Sequence, residues 1–481
     1  MADVSDAMFR EYDIRGVFGE DLTPEVAELL GRGYAVYLDR HGVERGPGFK
    51  VTVGRDVRLS SKEIRDALVK GLTGSGISVI DIGECPTPLQ YFSMHTLPVG
   101  GGVMITGSHN PPEYNGFKVS VGQETIHGEE IQEMKRIIRE EVIGKPYPQV
   151  APGKVETMDI ISSYIDYVSR NITIPETERP LRVVLDSGNG TAGPVAVPLV
   201  RKLGCEVIEL FSEPDGMFPN HHPDPTVPKN LQHLIDAVLE NEADFGVAYD
   251  GDADRIGVVD EKGGIIWGDK LMIIFSRSIL DTTPGATIVG EVKCSQVMYD
   301  EIARWGGNPV MWKTGHSLIK ARMKELGAAM AGEMSGHIFF ADKWFGFDDA
   351  IYSSCRLMEI MARKRVPEPQ FHFSSMLIGL PETVVTPEIR IDCPDELKFE
   401  IIGKLEEAIG GGTEDFKVKD IVKIDGLRVN FEGGWALVRA SNTQPVLVLR
   451  FEATDNQLLE KAKLFMKTRL EMVRPGVAVG F

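Results

Sequence analysis

The stretch LRVVLDSGNGTAG, Leu181 to Gly193, sets four apolar residues within five positions and then breaks into a loop of aspartate, serine and glycine. A helical stretch through Val195–Leu203 follows, and GCEVIELF, Gly204 to Phe211, opens a second β-rich run. Apolar run, polar turn, helix, glycine and second run spell a βαβ unit. Its strands lie parallel and its polar loop sits at the carboxyl end of the first strand, where parallel sheets place ligands. The same order recurs upstream in FKVTVGRD (Phe49 to Asp56), a helix near Ser61–Leu72 and GSGISVIDIGECPTP (Gly74 to Pro88). It recurs downstream in ATIVGEVKCSQ (Ala286 to Gln296), a helix near Gln296–Trp305 and GGNPVMWKTGHS (Gly306 to Ser317). The likeness is one of pattern more than of residue identity.

The C-terminal segment is built differently. Leu427, Val429 and Phe431 alternate, Glu432-Gly433-Gly434 makes a turn, two further strands follow, and a helix begins near Asp455. That is a small antiparallel sheet with a helix, an α+β unit. Domains of ~100–200 residues divide the 481 residues into three or four. The expected seams are polar or proline-bearing, giving domains at 1–152, 153–263, 264–378 and 379–481.

With 42% apolar and 26% charged residues the chain reads as an ordinary globular protein. A formal charge of −19 argues against a nucleic-acid surface, so an anionic ligand must be met by a local basic cluster. Cys85, Cys205, Cys294, Cys355 and Cys393 are odd in number and scattered, which favours reduced thiols and a cytoplasmic setting over disulfides or zinc. The N-terminal stretch resembles no secretory signal, and no apolar run is long enough to span a membrane.

Four loops carry groups able to do chemistry. In ADFGVAYDGDADRIGVVDEKGG, Ala243 to Gly264, Asp250, Asp252 and Asp254 alternate with small residues between two buried strands. Three carboxylates so close repel one another unless a cation lies among them, and an all-oxygen site suits Mg²⁺ or Ca²⁺. An EF-hand loop is the competing reading, but its sixth position requires glycine and here holds Arg255. An arginine beside an acidic metal site fits a phosphate bridging the two.

In GGVMITGSHNPPEYNGFKVS, Gly101 to Ser120, Ser108 ends a strand with His109, Asn110 and Lys118 nearby, the arrangement of a nucleophile or phosphate carrier. Pro111-Pro112 and Asn115-Gly116 would equally explain the turn without function. AGEMSGHIFF, Ala331 to Phe340, offers Glu333, Ser335 and His337 among glycines, donor and acceptor types that read sugar hydroxyls. VRASNTQPVLVLRFE bunches Arg439, Ser441, Asn442 and Thr443 in a tight turn, the composition of an anion cradle. FREYDIRG and WKTGHSLIK add Arg10, Tyr12, Arg15, Lys313, His316 and Lys320. Each loop alone also reads as an ordinary turn or charged surface.

Together and in this order, FREYDIRG, TGSHNPPEYNGFK, DGDADR, GEVKCS, KTGHSLIK, GEMSGH and RASNTQPVLVLRFE closely resemble the α-D-phosphohexomutase superfamily, in its bacterial phosphomannomutase/phosphoglucomutase branch. The resemblance spans nearly the whole chain. It implies an α/β fold of three topologically similar domains, each a mixed sheet between helices, and a smaller α+β domain, arranged around a central active-site cleft. It implies that the first domain carries the phosphoserine loop, the second the metal loop, the third the sugar loop and the fourth the phosphate loop.

By the same resemblance Ser108 is the phosphoserine, and Asp250, Asp252 and Asp254 hold Mg²⁺ with a phosphoryl oxygen on Ser108, supported by Arg255. Glu333 and Ser335 bind sugar hydroxyls. Arg439, Ser441, Asn442 and Thr443 grip the phosphate that is not reacting. Arg15, Lys118 and His316 handle protons or charge, and Tyr12, His109, Lys293 and His337 line the cleft. The implied activity interconverts hexose 1-phosphate and hexose 6-phosphate through a hexose 1,6-bisphosphate, with no nucleic-acid or membrane partner and with monomer and dimer both open. Met334 stands where glucosamine-phosphate mutases typically carry glutamine, which favours glucose or mannose without ranking them. A phosphoglucosamine mutase is the alternative. A serine-dependent metal phosphomonoesterase is a more distant one, since it needs no second phosphate cradle.

Overall fold

A computed structural model describes residues 4–46, 48–410, 412–414, 416–441 and 444–475. They gather into two compact units, one of residues up to Ser278 together with Ser335–Met376, the other of Ile279–Met334 with residues from Leu377 onward. The third expected block, 264–378, therefore contributes to both.

The first unit holds two mixed sheets. Strands β1 (Ile14–Val17), β2 (Lys50–Arg55), β3 (Ser78–Glu84), β4 (Gly101–Ile105), β5 (Tyr114–Val121), β6 (Glu124–Thr125) and β7 (Val155–Thr157) run in the order β1-β5-β4-β2-β3-β7, with β6 on β5. The β2, β3, β4 and β7 ladders are parallel, whereas β5 lies antiparallel to both β4 and β1. That reversal is the product of the loop after Ile105, which turns the chain straight back along its own strand. The helices Pro24–Arg40 and Ser61–Gly74 cover this sheet over a core that includes Leu30, Tyr34, Val53, Leu68, Val103 and Phe117.

The second sheet contains β8 (Arg182–Asp186), β9 (Glu206–Leu210), β10 (Phe245–Tyr249), β11 (Ile256–Asp260) and β12 (Ile265–Ile266) in the order β12-β11-β10-β8-β9. β10 and β9 pair parallel to β8, while β11 folds antiparallel onto β10. The helix Gly193–Lys202 links β8 to β9. Residues 335–376 join this unit through packing: Tyr164 donates to Asp349, the Phe245 ring lies 4.9 Å from that of Phe373, and the Trp344 ring meets Tyr164 edge-on at 5.9 Å.

In the other unit, β13 (Thr287–Glu291), β14 (Asn308–Trp312) and β15 (Met330–Gly332) are parallel in the order β14-β13-β15, and the helix Gln296–Arg304 links the first two. Beyond β16 (Ile338–Phe340), β17 (Val384–Val385), β18 (Ile389–Asp392), β19 (Val418–Val422), β20 (Leu427–Phe431), β21 (Gly434–Ala440) and β22 (Val446–Ala453) form an antiparallel sheet. The helices Asp395–Ile409 and Asn456–Val473 pack on it over Leu405, Val429, Leu449, Phe451 and Met466.

Arg428 and Arg450 reach out of this sheet. Arg428 donates to the carbonyls of Val292 and Cys294 while its guanidinium lies 3.9 Å over the Trp435 ring, and Arg450 donates to the Lys293 carbonyl.

Candidate active site

β4 ends at Ile105, and the chain turns through Thr106-Gly107 so that Ser108 takes a φ of 49°. A serine in the left-handed region costs about 1 kcal/mol or more and persists only when its surroundings hold it. Arg58, fully buried, does so: it donates to the Ser108 carbonyl at 2.8 Å and the Tyr114 carbonyl at 3.0 Å, touches the Asn110 and Pro111 carbonyls, and is anchored by Asp56. The Ser108 N–H donates to the Thr106 hydroxyl at 2.8 Å. The Ser108 hydroxyl is thereby set 3.0 Å from Asp250 Oδ2, to which it donates, and 3.1 Å from His109 Nδ1.

The partner loop joins β10 to β11. A Cβ on Gly251 would stand 2.5 Å from the Ser108 carbonyl oxygen, so only glycine lets the two loops approach this closely. Asp250 Oδ1 closes its own loop by accepting from the N–H groups of Asp254 and Arg255, both at 3.1 Å. Asp250, Asp252 and Asp254 are buried, and each offers an oxygen within 4.8 Å of the other two. From β5, Lys118 Nζ donates to Asp252 Oδ2 at 3.0 Å and touches Asp254. Thr87 and Thr106 donate their hydroxyls to the same Asp252 oxygen at 2.6 and 3.1 Å.

The electrostatics follow from burial and crowding. Burial, then Asp254 and Asp252, push Asp250 well above the ordinary carboxylate range. Burial also opposes charge on Asp254, but Lys118 and His337 outweigh it and hold that carboxyl well below its ordinary value. Burial likewise opposes the Lys118 ammonium, and Asp252 and Asp254 more than restore it, so Lys118 stays charged. His109 is held well below its ordinary value by burial, then by Arg255 and Arg15, and is neutral near neutral pH.

The donor set fits Mg²⁺. All three groups are hard oxygen ligands, and Asp252 Oδ1 is buried with no hydrogen-bond partner among the described residues. With all three carboxylates ionised they outweigh Lys118 and Arg255, and one divalent cation converts that deficit to an excess, which is what a dianionic phosphoryl group needs.

Ser335, His337 and Arg15, also of the first unit, gather nearby. Arg255 and Ile256 pair with Gly336 and His337, and His337 Nε2 lies 3.2 Å from both Arg255 Nε and Asp254 Oδ1. Ser335 Oγ is 3.3 Å from His337 Nδ1. Arg15, on β1, pairs with Asp13, and Tyr12 is half-buried in the turn bracketed by the Phe9–Ile14 bridge.

A second group forms within the other unit. Glu291, at the end of β13, accepts from the Thr314 hydroxyl at 2.6 Å and the Met334 N–H at 2.9 Å, with Lys293 Nζ 3.5 Å away. Glu333 accepts from the Gly315 N–H at 2.7 Å. Asp425 Oδ2 accepts from the Thr314 N–H at 3.1 Å and from Arg439 Nε at 3.0 Å. Lys293 also meets Glu388 at 3.3 Å; burial opposes its charge, and Glu291 and Glu388 hold it above the usual lysine range. His316 is buried at the start of the helix His316–Leu326, and Ser441 accepts from the Gln444 N–H. Asn442 and Thr443 lie outside the described residues.

Sequence reading passed over Arg58, Thr87, Thr106, Glu291 and Asp425, although Glu291 lies inside a quoted motif at the carboxyl end of a parallel strand. It also passed over Asp348, which joins Asp254 and His337 in a second set of ligand atoms within 4.8 Å.

Four family models match the chain in order: phosphoglucomutase/phosphomannomutase alpha/beta/alpha domain I over residues 6–142, domain II over 162–264, domain III over 267–372 and the C-terminal domain over 388–467. The chain is 45% identical over 475 residues to a phosphomannomutase/phosphoglucomutase of Pseudomonas aeruginosa, covering 99% of this chain and 98% of that one. It is 43% identical over 476 residues to a phosphoglucomutase of Neisseria gonorrhoeae, covering 98% of each. A crystal structure of a phosphoglucomutase/phosphomannomutase family protein from Burkholderia thailandensis superposes with a TM-score of 0.89 at 41% identity, covering 99% of this chain and 100% of that one.

Proposed function

Since the chain belongs to the phosphoglucomutase/phosphomannomutase family of hexose-phosphate mutases, we propose that it interconverts hexose 1-phosphate and hexose 6-phosphate, with mannose, glucose or both as the sugar, through phosphorylated Ser108 and a hexose 1,6-bisphosphate. The observation that carries the chemistry is the Ser108 hydroxyl 3.0 Å from Asp250, inside a buried group of three carboxylates and a lysine. Mg²⁺ held by Asp250, Asp252 and Asp254 would spread positive charge over the oxygens of the transferring group.

In the forward half-reaction the Oγ–P bond of phospho-Ser108 breaks as a sugar hydroxyl oxygen bonds to phosphorus; the hydroxyl gives up its proton and the departing Ser108 Oγ takes one. The bisphosphate then turns around, and its other phosphate passes to Ser108 Oγ, which gives up its proton while the sugar oxygen left behind takes one. Phosphoryl transfer spreads charge over three equatorial oxygens, so positioned cations supply most of the stabilisation. Lys118, locked as an ammonium by two aspartates, serves as such a cation and not as the base. Arg255, held toward His337, backs the same group.

Arg15 and His316 are the proposed handlers of proton and charge. Glu333 and Ser335 take the sugar hydroxyls, and Arg439 and Ser441 the phosphate that is not reacting. Tyr12, His109, Lys293 and His337 line the ligand. Five free buried cysteines support a cytoplasmic setting, and no described helix is long and apolar enough to cross a membrane.

Incubation with glucose 1-phosphate and Mg²⁺, followed by coupled detection of glucose 6-phosphate, tests the reading. Release of inorganic phosphate without glucose 6-phosphate would overturn it. Parallel kcat/KM values on the 1-phosphates of glucose, mannose and glucosamine rank the sugars.

A further inference from the structure

The two oxygens of Asp252 are treated unequally. Oδ2 accepts three donors: the Thr87 hydroxyl at 2.6 Å, the Lys118 ammonium at 3.0 Å and the Thr106 hydroxyl at 3.1 Å. Oδ1 is equally buried and accepts none among the described residues. A carboxylate saturated on one oxygen cannot rotate and presents a single oxygen to a cation.

Thr87 grips Asp252 twice, since its backbone N–H also donates to the Asp252 carbonyl at 2.9 Å. It opens the ten-residue helix Thr87–Thr96, whose N-terminal end favours an anion. Thr106 donates to Asp252 while accepting from the Ser108 N–H at 2.8 Å, so one chain of hydrogen bonds runs from the Ser108 backbone to Asp252. These contacts join residues 146 and 165 positions apart in sequence.

We propose that Thr87, seconded by Thr106, is a positioning residue of the cation site: it occupies Asp252 Oδ2, aims Oδ1 alone at the divalent cation and keeps the metal loop in register with Ser108. The proposal rests on the reading that Asp250, Asp252 and Asp254 bind a divalent cation. Groups that orient a metal ligand typically contribute about 10–100-fold to metal affinity. The hydroxyl of Thr87 is the shortest of the three contacts, and it is a neutral donor whose loss leaves Oδ2 still bonded to Thr106 and Lys118.

The test is Mn²⁺ binding to the metal-free full chain, read as loss of the free-ion electron paramagnetic resonance signal and therefore independent of turnover. Wild type, Thr87→Val, Thr87→Ser and Asp252→Asn are compared. Thr87→Val is expected to weaken Mn²⁺ binding about 10–100-fold, and Thr87→Ser, which restores the hydroxyl, to recover it. If wild type fails to bind, or Asp252→Asn binds as wild type does, the cation-site reading itself falls. If those controls hold but Thr87→Val binds like wild type, or Thr87→Ser is as weak as Thr87→Val, the positioning role alone is overturned. Should Thr87→Val fail to fold, Thr106→Val is read against the same controls, with unchanged affinity overturning the proposal.

Discussion

Lys118 Nζ stands 3.0 Å from Asp252 Oδ2 and in contact with Asp254, and all three side chains are sealed from solvent. The lysine thus neutralises charge that a divalent cation would otherwise share. Removing one member of a buried charge cluster costs about 3–5 kcal/mol, because its partners keep their charge. Lys118→Met should therefore melt lower than wild type without Mg²⁺ and recover more of its melting temperature when Mg²⁺ is added. Turnover should fall about 10²–10³-fold even at saturating Mg²⁺, the usual cost of losing a group that stabilises transition-state charge. Differential scanning fluorimetry with and without Mg²⁺, beside steady-state kinetics, checks both halves.

Ser108→Ala removes the Oγ that sits between Asp250 and His109. Turnover should drop at least about 10³-fold, as for other enzymes that lose their nucleophile. Intact-mass analysis should find a phosphate adduct on active wild type and none on the variant. A phosphate mapped to another residue in active protein would reassign the carrier.

Glu291→Gln leaves one oxygen where two now accept from Thr314 and Met334, and it removes the charge facing Lys293. The Thr314 and Met334 segments lose their common anchor. KM for the hexose phosphate should rise about tenfold, with kcat less affected, because ground-state and transition-state binding fall together.

Asp349 supplies a pH test at a carboxyl outside the metal loop. Burial, offset in part by the Tyr352 N–H and the Tyr164 hydroxyl, pushes its carboxyl up to about 7. A carboxyl raised in the folded state binds its proton more tightly there, so its contribution is fully present below the ordinary value of about 4 and is lost as pH rises through about 7. Asp349→Asn keeps an oxygen to cap the helix Ala350–Arg365 and cannot ionise. Urea midpoints should fall more steeply between pH 5 and pH 8 for wild type than for the variant.

The βαβ units were legible because each is local: the strand, turn and helix that compose β8, Gly193–Lys202 and β9 lie within thirty residues of one another. Ser108 and Asp250–Asp254 stood out for the same reason, as reactive types concentrated on short loops. Thr87 did not, since its partner lies 165 residues away and a threonine after a proline reads as a helix start. Arg58 likewise works through carbonyls, which have no residue identity to notice. Arg439 was visible as a cation, but the Asp425 that orients it came from a separate turn. The strand Val155–Thr157 is exposed throughout and joins the first sheet only by edge pairing with β3, so no apolar pattern marked it.

The arginine pair on the C-terminal sheet has a mechanical consequence. Arg428 and Arg450 hold three successive carbonyls, those of Val292, Lys293 and Cys294, and Arg428 is itself wedged against Trp435. Lys293, in the turn after β13, is therefore fastened by its own carbonyl to the sheet that carries Arg439. Their spacing is thus set by backbone and guanidinium contacts that no ligand has to supply, so any reach between the two cations is built before a ligand arrives.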